Sequence, residues 1–182
     1  EHGSWSVGPY NPHIVIVDEK KADEDYLKEV QDLTGATYIA TGGEPATITM
    51  EYFSHALREK LATLPEKPPL IVLALVDYDP FGWTLRETFI ADLVNFGLPR
   101  PTAVINLAVP KNYDPEQIPY LKTDLTKSKK KVPPGMLRKW LKLTGGIDGQ
   151  PYGLSVDDLW EDTVHVQALI LEAGKPYFLV PT

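Results

Sequence analysis

Apolar positions along the chain follow two rhythms. HIVIV (residues 13 to 17), TYIA (37 to 40), LIVLALV (70 to 76) and AVINLAV (103 to 109) are short runs, several of them rich in β-branched residues, and predict strands. LIVLALV is apolar at every residue, as suits a strand in the middle of a parallel sheet covered on both faces. The stretches between them read differently. KADEDYLKEVQDL is a charged helical stretch, and Ala46, Met50, Phe53, Leu57 and Leu61 recur at three and four residues, which predicts a helix with one buried face that stops before PEKPP. GWTLRETFIADLVNFG predicts a third helix, closed by Gly97. The order βαβαβαβ predicts an α/β fold: a Rossmann-like parallel sheet of about four strands flanked by helices, with ligands at the carboxyl ends of the strands.

Beyond Pro110 the regularity fades. A short helix is expected near Met136 to Leu143, TGGIDGQPYG (144 to 153) reads as loop, and Ser155 can cap a last helical stretch whose apolar face comes from LWEDTVHVQALILEA. Asp158 is placed to return the capping bond. The expected organisation is an N-terminal segment (1–12) followed by one domain (13–182), with a regular core over about 13–110 and a helical and loop extension over 111–182. No internal repeat is visible.

Composition narrows the chemistry. With 43% hydrophobic and 24% charged positions, 182 residues suffice for one real core. The absence of cysteine excludes disulfides and thiolate zinc sites, so any metal would be held by carboxylates, histidines or carbonyls, and oxygen ligands point to magnesium-like ions. No apolar run approaches the roughly 20 residues of a membrane span, and EHGSWSVGPYNP lacks the pattern of a signal peptide, so a soluble, intracellular protein is expected. The net charge of −7 argues against a surface that grips nucleic acid everywhere. Its distribution says more: from Lys122 to Lys142 there are eight basic residues against one acid, Asp124, a local balance of +7 that leaves −14 on the rest.

Acidic residues stand where such a sheet places function. Asp18 and Glu19 leave the end of HIVIV, and Asp77 and Asp79 leave the end of LIVLALV, so four carboxylates would converge if those strands are neighbours. Asp77 and Asp79, two apart on extended backbone, share a face and can meet one ion. Their mutual repulsion would raise their pKa values unless a cation were present, and magnesium accepts one or two carboxylates together with water and phosphate oxygens. Two plainer readings stay open: Asp-x-Asp-Pro is ordinary turn chemistry, and Asp18 and Glu19 suit an acid-rich helix N-terminus. Lys127, Lys129, Lys130 and Lys131 either hold nucleic-acid phosphates or form a solvated loop. His13, His55 and His165 lack ligand spacing, and TGGIDG reads as a turn, since it lacks the lysine and hydroxyl of a P-loop.

These residues also carry a resemblance. LVDYDPFGW resembles the DxDPxG signature of the Toprim domain in the A subunit of topoisomerase VI and its relative, the meiotic double-strand-break protein. VDEK in IVIVDEKKADEDYL is similar to the first-strand glutamate of that family, usually followed by lysine, and TGGEPATITMEYFSHAL to its TGG-x-P turn and following helix. The three blocks come in family order over about residues 13 to 110, with HVQALILEA a looser match.

The resemblance implies a Toprim domain of a type IIB, topoisomerase VI A-like DNA-cleaving enzyme. Glu19, Asp77 and Asp79 would bind Mg2+, Glu19 would act as general acid or base, and a tyrosine on a separate winged-helix domain would attack the phosphodiester. Whether Asp18 or Glu19 is the first-strand ligand stays open. None of the nine tyrosines is assigned that attack, because Tyr10 precedes the first strand too closely and Tyr78 lies inside the metal motif. Expected partners are DNA, a second copy in a homodimer, the winged-helix domain and an ATPase subunit, in a prokaryotic cytoplasm at the nucleoid or in a eukaryotic nucleus. The alternatives are a magnesium-dependent nuclease that uses water and a noncatalytic assembly module. A haloacid-dehalogenase-type phosphatase also begins with Asp-x-Asp after a strand, but it normally has threonine or valine where Phe81 stands.

Overall fold

The computed structural model describes residues 4–129 and 131–180. Five strands form one sheet: β1 (Ser4–Ser6), β2 (Asn11–Asp18), β3 (Ala36–Ala40), β4 (Ile71–Leu75) and β5 (Ala103–Asn106). Their spatial order is β1-β3-β2-β4-β5, and all neighbours are parallel except β1, which runs antiparallel along the outer edge of β3. The sheet is the expected parallel one with an edge strand added. A three-residue strand, SWS, is too short to leave a periodic signal.

Helices α1 (Glu24–Thr34), α2 (Thr47–Ala62) and α3 (Pro80–Asn95) make the crossovers. The chain goes from β2 to β3 on one side, then returns through α2 to β4 on the other. In a sheet wound this way the direction in which strands are added reverses between β2 and β4, the switch point where open α/β sheets keep their crevice. The helix that follows β4 begins at Pro80, two residues before the expected start at Gly82. Proline is suited to the first turn, where its missing N–H leaves no bond unmade.

Strand alternation divides the core. Ile14, Ile16, Ile71, Leu73 and Leu75 face one layer with Leu27 and Val30 of α1. Val15, Val17, Val72 and Ala74 face the other with Phe53 and Leu57 of α2 and Phe89 and Leu93 of α3. Each fully buried Val, Leu, Ile or Phe among them contributes about 2 kcal/mol.

The remaining helices and strands follow β5 in the chain. They are α4 (Ile118–Leu121), β6 (Thr123–Asp124), α5 (Pro134–Thr144), β7 (Tyr152–Gly153), α6 (Val156–Trp160) and α7 (Thr163–Gly174), with β6 and β7 paired antiparallel. Val156, Leu159, Val166 and Ile170 join the cluster of Ile14 and Leu73, so the extension roofs half of the sheet. The expected last helix is broken in two after Trp160, because the Asp162 side chain accepts a bond from the His165 backbone N–H and caps a new start. Ser155 caps α6 as expected, accepting from the Asp157 N–H. No helix among the described residues is long and apolar enough to cross a membrane.

The C-terminal end of the described chain is fastened to β2. The buried Asn11 side chain donates to the Thr34 and Val180 carbonyls and accepts from the Leu179 and Val180 N–H groups. The buried His13 Nε2 donates to the Tyr177 carbonyl at 2.7 Å, which leaves Nδ1 without a partner. Burial holds His13 below its ordinary pKa, so the unfolded chain takes up this proton first as the pH falls. The sign is destabilising on acidification: stability present above the unfolded histidine value is lost as pH drops through it towards the folded one. A His13→Gln variant is expected to lose less stability than the wild type between pH 7.5 and pH 5.5, read as urea midpoints. Equal losses would contradict this account of His13.

Candidate functional site

The site is built at the switch point by register. Asp18 pairs with Leu75 of β4 and Ala40 of β3, so β2 and β4 end nearly flush and deliver their next residues to one place. Parity then sorts the acids. Asp18 shares the parity of Ile14 and Ile16 and turns into the layer under α6, where it is fully buried. Its Oδ1 accepts from the Lys20 N–H at 2.8 Å and its Oδ2 from Trp160 Nε1 at 2.7 Å, and it shares a hydrogen bond with Asp23. Burial, with the Asp23 carboxylate beside it, pushes Asp18 well above the usual carboxylate range.

Glu19 is the acid left facing the crevice. Its backbone N–H donates to the Leu75 carbonyl, and its Oε1 accepts from the Asp77 N–H at 3.1 Å. The Glu19 and Asp77 carboxyl groups share a hydrogen bond, and burial together with Asp77 pushes Glu19 up to about 8. Asp77 Oδ1 also accepts from the Val156 N–H at 2.8 Å, at the first residue of α6. Lys20 supplies the nearest positive charge, 3.6 Å from Asp157. Burial alone would lower the Lys20 ammonium, but Asp77, Glu19 and Asp157 outweigh it and hold the pKa above its ordinary value.

Asp79 is put to a different use. Its Oδ1 accepts from the Gly82 N–H at 2.8 Å and caps α3, with Pro80 as the first helical residue. The turn chemistry expected as an alternative is therefore present at Asp79. Asp77 and Asp79 still line one pocket of about 200 Å³, whose far wall comes from Thr123, Leu125, Ser128 and Val132.

The expected convergence of four carboxylates is corrected. Glu19 and Asp77 meet, Asp18 is turned away to Trp160, and Asp79 caps a helix. Among the described residues no three His, Asp or Glu side chains are grouped to hold one metal ion. What the pair offers is two carboxylates, the number magnesium takes when water and phosphate oxygens complete its shell.

The motif is held by close backbone approaches. A Cβ on Gly82 would lie 2.0 Å from the Asp77 carbonyl oxygen, and one on Gly153 would lie 2.7 Å from that of Tyr78. Tyr78, between the two aspartates, exchanges backbone bonds with Leu154, donates its hydroxyl to the Gly146 carbonyl at 2.7 Å and packs edge-on against Trp140 at 5.0 Å. TGGIDG is thus a turn, as expected, and it receives the Tyr78 hydroxyl. The TGG turn at 41–43 braces the other strand: the Thr41 N–H donates to the Asp18 carbonyl and the Gly43 N–H to that of Glu19.

Lys127, Lys129 and Lys131 are exposed, on the loop that walls the pocket through Ser128 and Val132; Lys130 lies outside the described residues. Tyr113 is buried, donates to the Ser155 carbonyl, and is pushed far up by burial and the nearby acids, so its phenol is no ready nucleophile.

Sequence reasoning missed Trp160, Asp23 and the Val156 N–H as partners of the acids. The parity of Asp18 with Ile14 and Ile16 was the available signal that it points inward. Compared with protein-family models, with curated proteins and with solved structures, the chain gives no match.

Gly82→Ala is expected to destabilise the protein by about 1–3 kcal/mol, as overpacking against fixed backbone does. Denaturant unfolding measures it, and a loss below about 0.5 kcal/mol would mean that α3 is not seated against Asp77 as described.

Proposed function

We propose that this chain is a magnesium-binding Toprim-type domain that supports phosphodiester transesterification on DNA, with the attacking tyrosine on a separate winged-helix domain. The observation that carries the reading is the apposition of Glu19 and Asp77 at the switch point. Like charges pressed together in a half-buried site favour any cation that can replace the proton between them. Glu19 and Asp77 would hold the ion, and Asp18 would not, since both of its oxygens are taken by protein donors. Bound magnesium would neutralise nonbridging phosphate oxygens and the charge gathering on the leaving 3′ oxygen.

Around it the chain's own residues act by position. The Val156 N–H fixes the Asp77 carboxylate. Asp79 completes the family motif, and its cap on α3 sets the angle of the 77–79 segment. The exposed lysines at 127, 129 and 131 would hold phosphates without reading bases. DNA and a homodimer partner belong to the same proposal.

One observation favours a second reading, a noncatalytic module. Lys20 already brings a positive charge to the acidic pair, so the sheet end has a counterion of its own. Calorimetric titration with Mg2+ or Mn2+ separates the two. The wild type is expected to bind, and Glu19→Gln and Asp77→Asn each to weaken binding by at least about 10-fold, as loss of a ligand or its support does. Lys127→Ala is expected to leave it unchanged. No binding by the wild type would favour the module; binding unaffected by either acidic-site variant would remove the pair from the account.

A further inference from the structure

We propose that α5 extends the basic loop into one continuous docking surface for the sugar–phosphate backbone of duplex DNA, through Arg138, Lys139 and Lys142. The choice of DNA as the anion rests on the function proposed above; the surface itself rests on geometry and charge.

At 3.6 residues per turn the three side chains fall within an arc of about 100°. All three are exposed. The opposite side of the helix carries Trp140, buried against Tyr78. The basic face is therefore clamped to the residue between Asp77 and Asp79, and its position relative to the carboxylates is fixed by packing. Only two residues separate Lys131 from the first residue of α5, so the loop and the helix face are contiguous.

Clustering marks these cations: between Lys122 and Lys142 eight basic residues stand against one acid, Asp124. Among the described residues, none of Lys127, Lys129, Lys131, Arg138, Lys139 and Lys142 has a carboxylate within salt-bridge distance, in a chain with 25 acids against 18 bases. Six exposed cations clustered on one loop and one helix face suit an external polyanion. The surface leads to the pocket beside Asp77 and Asp79, whose wall is this same loop. A row of flexible lysines and one arginine on an exposed convex helix face suits phosphates and reads no bases.

Salt dependence tests it. Anisotropy titrations of a short labelled duplex with the full chain, in EDTA over a series of KCl concentrations, give the slope of log Kd against log salt. Each phosphate contact contributes about 0.9 to that slope. The triple variant R138Q/K139Q/K142Q is expected to lower it by about 2 to 3, the loop triple K127Q/K129Q/K131Q by a similar amount, and R138K/K139R/K142R to restore the wild-type slope. Circular dichroism and an unchanged urea midpoint show that the α5 triple is folded. A slope unaltered by the α5 triple, or no binding by the wild type at low salt, would overturn the proposal. Because chelator is present throughout, failure of the metal reading leaves this result standing, and the reverse also holds.

Discussion

Glu19 and Asp77 are pressed together because two fully buried parallel strands end almost flush. Neither strand can slide to relieve the contact, since a slip of one residue would turn every apolar side chain of β2 to the wrong layer. The acids are held in contact in a half-buried place, and several neighbouring groups are bonded or charged to suit them. Lys20 brings a positive charge, the Val156 N–H holds one Asp77 oxygen, and the TGG turn takes up the carbonyls of Asp18 and Glu19.

Two of these devices come from opposite ends of the chain, so the C-terminal third is part of the site. Val156 opens α6, whose apolar residues roof the same layer that receives Asp18. Trp160 closes it by donating to Asp18 and stacking on Tyr26 of α1 at 5.6 Å. Tyr78 is keyed into the 144–146 turn, and Gly82 and Gly153 let backbone approach backbone on either side of the aspartates. A stretch that looks irregular from its sequence is organised by what it must hold.

Much of this was legible beforehand. The four parallel strands, the crossover helices and the placing of Glu19 and Asp77 near one another follow from runs such as HIVIV and LIVLALV, whose burial on both faces leaves one sheet to build. The strand at Ser4–Ser6 was not, because edge pairing of three residues depends on a partner distant in sequence. The break between α6 and α7 was missed because Asp162 interrupts a periodic pattern through one local bond. The role of Asp18 turned on strand parity, and its partner Trp160 lies 142 residues away. Asp79 illustrates a limit of motifs: the same residue serves a motif and a helix cap, and spacing alone does not divide the two.

The central claim is that the Glu19–Asp77 pair is a place for a divalent cation. Anomalous diffraction from crystals of the protein soaked in Mn2+ tests it most directly, because it locates the ion without reference to activity. The account expects one strong peak in contact with carboxylate oxygens of Glu19 and Asp77, at the carboxyl ends of β2 and β4. A peak elsewhere with none at this pair, or no peak in crystals with the pair open to solvent, would contradict it.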